Sequence, residues 1–205
     1  MMLDKNSRDT GEKVVVKFVA RYGEQVHRFL AEQAYAPAFR YYGPIPIPDA
    51  PQFEPSLGPA EMAQPGLALG FKRMHMVVMN YVETFRPPEN AYEQVRKVLL
   101  RLHSEGYVFG DLRRPNILFD PEGDVKFIDF NWCGRYDARI QDEGLPDGVQ
   151  EQIDKRKERF EDVGQSYACY PLALSGAIDW PDGMQALKPI RPIHDWNMLQ
   201  KLHFK

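Results

Sequence analysis

Three oxygen-bearing side chains that lead into and out of one hairpin between positions 111 and 129 could together hold a divalent cation. They are the carboxylates Asp111 and Asp129 and the amide Asn116. Hard cations take oxygen ligands, and carboxylate and amide oxygens are among the usual ones. The elements that must position these groups are legible around them. Ile117-Leu118-Phe119 and Val125-Lys126-Phe127-Ile128 are β-rich runs, and Asp120-Pro121-Glu122-Gly123-Asp124 between them is turn chemistry. A hairpin fixes its two ends relative to each other. Asn116 at its entry and Asp129 at its exit are therefore expected to be neighbours, with Asp111 just before them. Lys17 lies in the middle of KVVVKFVA (13–20), a run expected to form a strand. Taken alone, it is a strand lysine on a solvated face.

The segment GDLRRPN (110–116) resembles the catalytic loop of protein kinases and their small-molecule kinase relatives, and IDFNWCG (128–134) resembles their metal-binding D-F-G segment. Acid, amide and acid follow in the family's order and spacing. Two departures stand out. The His-Arg (or His-Gly) expected before the loop acid is Phe109-Gly110 here. The Gly of D-F-G is Asn131, which tolerates a left-handed backbone better than most residues. The resemblance implies an ATP- and Mg²⁺-dependent phosphotransferase. In it, Asp111 would accept or orient the proton of the attacking hydroxyl, and Asn116 and Asp129 would hold the metal. Lys17 would pair with the α- and β-phosphates, steadied by Glu24 on the next helix, with Glu32 as the alternative. Met79 would guard the back of an adenine pocket whose edge is met by the backbone from Asn80 to Val82. Asp195 would anchor the loop backbone or act as an ordinary helix cap.

The implied fold is α+β and two-lobed. It has a small antiparallel β lobe with one helix (13–82), then a mainly helical lobe (83–205). The order Tyr170-Pro171-Leu172 with Leu174, Ile178 with Trp180-Pro181, and His194-Asp195 with Met198-Leu199 is similar to that of small, divergent kinase-like proteins from fungi. Two parts of the family pattern are missing. No glycine-rich loop precedes the lysine strand, where only Met1–Glu12 stand, and the chain stops at Lys205 where the family's second lobe continues. The expectation is thus a truncated gene model or a minimal relative, active or inactive. Rival readings are a non-catalytic module that keeps the fold, and a small-molecule kinase of aminoglycoside or choline type, which Gly110-Asp111 would suit. The acceptor is left as a protein or small-molecule hydroxyl.

The rest of the chain supplies the scaffold. Residues 1–12 are polar and are expected to be a flexible tail. In GEQVHRFLAEQ (23–33), Val26, Phe29 and Leu30 have helical spacing. His27 there has no second ligand and is expected to be a packed or exposed helix residue. The prolines from Pro44 to Pro65 exclude a central strand or long helix, leaving an extended loop over 43–66. Leu67–Phe71 and His75–Tyr81 are expected to pair as strands. Pro87-Pro88 should start a helix whose stripe is Val95, Val98, Leu99 and Leu102, with Gly106 as its stop. Residues 135–164 are expected to be an insertion carrying a solvated helix over 149–160. The 205 residues, with a hydrophobic content of 43%, suffice to bury a core, and a net charge of -3 offers no footprint for nucleic acid or an anionic membrane. Cys133 and Cys169 form no metal pattern, and no apolar run could export the chain or span a bilayer. A cytoplasmic or nuclear protein is therefore expected.

Overall fold

The β-branched residues of Val14–Val19 (β1) form a strand, as their stiff side chains favour. The computed structural model describes residues 11–45, 74–146, 148–157 and 166–204, and its architecture is α+β. β1 pairs antiparallel with β3 (His75–Asn80), from Val14 opposite Asn80 to Val19 opposite His75. The other neighbour of β3 is β2 (Phe39–Pro44), so the sheet order is β1-β3-β2. This corrects the expected pairing. The strand anticipated at Leu67–Phe71 lies outside the described residues, as does most of the proline-rich segment. The observed partner, with Phe39, Tyr41 and Tyr42, was not anticipated. Its bulge between Phe39 and Tyr41 breaks the simple alternation that marks a strand in sequence. On central β3, alternate positions Val77 and Met79 are buried, as period two requires.

The helix expected over 23–33 is α1 (Glu24–Glu32), which buries Val26, His27 and Leu30. His27 is therefore a packed residue. The long helix α2 spans Ala91–Ser104 and begins later than Pro87-Pro88 implied. The prolines form the turn before it, where the Pro88 carbonyl accepts from the Ala91 N–H at 3.0 Å. Its stripe of Val95, Val98, Leu99 and Leu102 is buried, and Gly106, at φ 76°, ends it. Tyr107–Val108 (β4) forms a two-stranded ribbon with a later segment, Gly134–Arg135 (β7). Between them lies the hairpin of β5 (Ile117–Phe119) and β6 (Val125–Phe127), registered Ile117 opposite Phe127 and Phe119 opposite Val125. The Ile128 N–H donates to the Asn116 carbonyl at 3.0 Å, closing the open end of that ladder.

The expected solvated helix is α3 (Val149–Lys157), and it is not solvated all round. Val149 and Ile153, one turn apart, are buried where α3 packs on α2. The last helix, α4 (Pro192–Gln200), starts with proline at its first position and buries Trp196 and Leu199. One hydrophobic cluster joins Val26 and Leu30 of α1, Val98 and Leu99 of α2, Phe127 of the hairpin and Leu199 of α4. No helix among the described residues is long and apolar enough to cross a membrane.

Candidate functional site

The loop that carries Asp111 is held from below by a buried carboxylate. Asp195 of α4 is fully buried, and its oxygens accept from the Phe109 N–H and the Gly110 N–H, each at 2.8 Å. The Trp196 indole donates to Nδ1 of His103 at 3.0 Å, which leaves His103 Nε2 to donate to Asp195 at 3.1 Å. Asp195 is not the helix cap, because Arg191 stands at that position. Gly110 is required by both conformation and space. Its φ is +81°, and a Cβ there would lie 2.8 Å from the Ile190 Cδ1. Gly110 is thus a glycine that this fold needs.

Beyond Asp111 the chain makes a short 3-10 turn, Arg114–Asn116, that brings Asn116 back onto the acid. The Asn116 Nδ2 donates to the Asp111 carbonyl and to its Oδ2, both at 2.9 Å. That leaves Oδ1 as the remaining polar atom of the Asn116 side chain. Arg113 grips Asp111 from the other side in a two-pronged pair, Nη2 lying 2.7 Å from Oδ2 and Nε on Oδ1. That hydrogen bond, with the charges of Asp111 and Asp129, outweighs burial and holds the Arg113 guanidinium above its usual range. Arg113 was not singled out from sequence. A basic residue two positions after an acid in a turn carries no signal of its own until the turn is folded.

Asp129 leaves β6 in a left-handed conformation, φ 65°, uncommon for a residue other than glycine. Its Oδ1 receives the Lys17 ammonium at 2.7 Å. Both side chains are about one-third exposed, at 31% and 35%. Glu24 does not serve as the partner of Lys17. It pairs instead with Arg28 one turn along α1, Oε1 accepting from Nε at 2.8 Å. The reason is how α1 sits. Its first residues dock on the segment after Asp129, where the Gly23 N–H donates to the Phe130 carbonyl at 2.7 Å and His27 stacks on the Phe130 ring at 4.4 Å. The alternative, Glu32, is exposed at the far end of the helix. Lys17 and Asp129 thus face each other directly, with no glutamate between them.

These groups border a cleft of about 310 Å³ lined by Val15, Lys17, Pro37, Met79, Asn80, Tyr81, Val82, Asn116, Leu118, Ile128 and Asp129. Of the residues singled out from sequence, Lys17, Met79, Asn80, Val82, Asn116 and Asp129 meet there. Asp111 adjoins it through Asn116, and Glu24 is on neither wall. The apolar slot between Val15, Met79, Leu118 and Ile128 has the dimensions and composition of a small-ligand pocket. Val15 and Lys17 share a face of β1 by alternation, so Val15 could have been found from sequence. Leu118 likewise lies opposite the buried pair Ile117 and Phe119. Pro37 and Ile128 had no such signal. Along the rim, the Asn80 and Tyr81 N–H groups are taken by the carbonyls of Ala38, at 2.9 Å, and Lys13, at 3.0 Å. Val82, the next residue along the rim, makes no backbone–backbone hydrogen bond among the described residues.

The charges at the polar end of the cleft are paired, Lys17 with Asp129 and Arg113 with Asp111. Burial first, and then the charges of Asp195, Asp129 and Asp111, push the nearby Cys133 thiol well above its ordinary range. Burial, with the charges of Cys133 and Asp129, does the same to the Tyr22 phenol. Among the described residues no three His, Cys, Asp or Glu side chains gather into a ready metal cluster. A magnesium site does not require one, since the ion usually takes one or two protein oxygens and completes its shell with phosphate and water. Asp129 and the free oxygen of Asn116 fit that demand, provided Lys17 yields its contact. No family model matches the chain.

Proposed function

We propose that the chain binds ATP with Mg²⁺ in this cleft, within a protein kinase-like two-lobed fold, and acts as a phosphotransferase toward a hydroxyl acceptor. The observation that carries this reading is that Lys17, Asn116 and Asp129 line one cleft together with the apolar Val15, Met79, Leu118 and Ile128 and with Asn80–Val82. In this reading the purine lies between Val15 and Met79 on one wall and Leu118 and Ile128 on the other. Its edge meets the backbone of Val82. Asn116 and Asp129 hold the metal, which would neutralise the phosphates, and Lys17 turns from Asp129 to the phosphate oxygens. Asp111 orients the acceptor hydroxyl and takes its proton. The chemistry is mostly positioning and charge neutralisation.

A second reading, a nucleotide-binding module without transfer, has an observation in its favour. Asp111 accepts from Arg113 on both oxygens and from Asn116 on one, so neither oxygen is open to an acceptor hydroxyl unless Arg113 moves. The two readings separate by calorimetry and a turnover assay on one set of proteins. ATP should bind weakly, with Kd on the order of 0.1–1 mM. It should bind only with Mg²⁺, because Asp129 repels bare phosphates and the metal reverses that sign. Asp129→Asn should abolish the metal dependence. Asp111→Asn should spare binding and remove turnover. ATP hydrolysis or acceptor phosphorylation that survives Asp111→Asn would defeat its assigned role. Tight metal-independent binding, or none at all, would defeat the nucleotide site.

A further inference from the structure

A second cavity, of about 300 Å³, borders the Asp111 loop. Its floor is Leu112-Arg113-Arg114, the residues that follow Asp111, and its far wall is Lys201-Leu202-His203 at the end of α4. The charges there are unequal. Arg113, Arg114 and Lys201 bring three cations, whereas Asp179 is the single acid among the lining residues. Arg113 is committed to Asp111. Arg114 gives one nitrogen to the Ile117 carbonyl at 2.6 Å and lies over the Phe119 and Phe204 rings, but meets no carboxylate among the described residues. Lys201 holds Asp179 by its carboxylate at 2.6 Å and by its carbonyl at 3.1 Å. The Asp179 side chain is 89% exposed, so little but Lys201 holds it in place. A carboxylate already sits at the cavity mouth on a tether that solvent can replace.

We propose that this cavity receives an anionic group, phosphate or carboxylate, attached to an apolar body. Arg114 and Lys201 take the charge as Asp179 swings out, and Leu112, Ile178 and Met198 cover the apolar part. A guanidinium presents a planar fork that suits phosphate or carboxylate oxygens, and an ammonium adds a second cation beside it. Because the floor is continuous with Asp111, the inference deepens the phosphotransfer reading and rests on it for one point only. The acceptor would be an acidic, hydroxyl-bearing molecule whose anion docks beside the hydroxyl that Asp111 orients.

The test uses phenyl phosphate and benzoate as probes, with benzyltrimethylammonium as the cation of similar shape, in ligand-observed NMR on the full chain. At least one of the two anions should bind, with Kd on the order of 1 mM. Lys201→Glu should weaken that binding about threefold to fivefold, and Asp179→Asn should tighten it by a similar factor, the range of a partly exposed charge pair. Both substitutions are at exposed positions, so the variants should fold, and thermal unfolding verifies this. Saturating ATP with Mg²⁺ should not displace the probe. The proposal is overturned if neither anion binds at about 10 mM, if the two variants leave binding unchanged, if the ammonium binds better, or if ATP competes. ATP binding is read separately, so a failed nucleotide site and a failed anion site give different results.

Discussion

Asp195 ties the loop that carries Asp111 to α4. It is fully buried and accepts from two backbone N–H groups and from His103. Truncation to alanine leaves buried donors without partners, which costs about 1–3 kcal/mol. A urea midpoint for Asp195→Ala equal to that of the wild type would show that the carboxylate is dispensable to the loop. Two buried imidazoles contribute to the acid limb of stability. Burial, outweighing the hydrogen bond to the Pro37 carbonyl, holds His27 down at about 4, and burial with the Arg191 charge holds His194 at about 4. An unfolded histidine takes its proton near pH 6.5, so between pH 6.5 and 4 the unfolded chain binds more protons than the folded one. Stability from these groups is therefore complete above pH 6.5 and is lost as pH falls toward 4. The loss is on the order of 3 kcal/mol for each. Replacing His27 with asparagine should remove about half of that slope in urea titrations run from pH 7 to pH 4.

At the scale of elements, the docking of α1 depends on a glycine for space rather than for conformation. Gly23 has an ordinary φ of -83°, yet a Cβ on it would stand 2.7 Å from both the Cβ and the carbonyl oxygen of Cys133. Gly23→Ala should push α1 off the segment after Asp129. The expected loss is about 1–3 kcal/mol, as for other overpacked contacts. Unfolding midpoints and the near-ultraviolet circular dichroism of the neighbouring aromatics would report it. The packing of α3 gives a parallel case. Ile153 is buried at 4% exposure, so Ile153→Ala should cost about 2–4 kcal/mol. A change below about 0.5 kcal/mol, typical of exposed positions, would mean that α3 does not pack on α2 in solution.

Across the whole molecule, the contact between Lys17 and Asp129 ties the three-stranded sheet to the end of the hairpin over the cleft. Both side chains are about one-third exposed, so water screens the pair and its share of stability is about 0–1 kcal/mol. Its role in ligand binding is separable from stability. Lys17→Met should leave the urea midpoint nearly unchanged and lower affinity for ATP with Mg²⁺ by at least about tenfold, one strong charge-assisted contact. A variant that binds ATP as well as wild type would remove Lys17 from the site.

Local chemistry made much of this legible beforehand. The hairpin from Ile117 to Phe127, the strand around Lys17 and the stripe of α2 follow from β-propensity, turn residues and helical period, all of which act within a few residues. The nearness of Asn116 to Asp129 follows in turn, because a hairpin cannot close without bringing its ends together. Long-range packing decided the rest. Glu24 and Arg28 stand at i, i+4, a local signal for their pair, whereas the lack of a contact between Glu24 and Lys17 depends on α1 seating Gly23 against Cys133 and His27 against Phe130. β2 was hidden by its bulge and by distant pairing with His75–Asn80. The burial of Val149 and Ile153 depends on α2 lying beside α3, since two apolar residues among charges form too thin a stripe to reveal a partner. The grip of Arg113 on Asp111 exists only once the 3-10 turn is formed. Sequence fixes what a residue can do with its near neighbours, and the tertiary fold selects among distant partners of similar chemistry, because their distances are set by packing that no local pattern encodes.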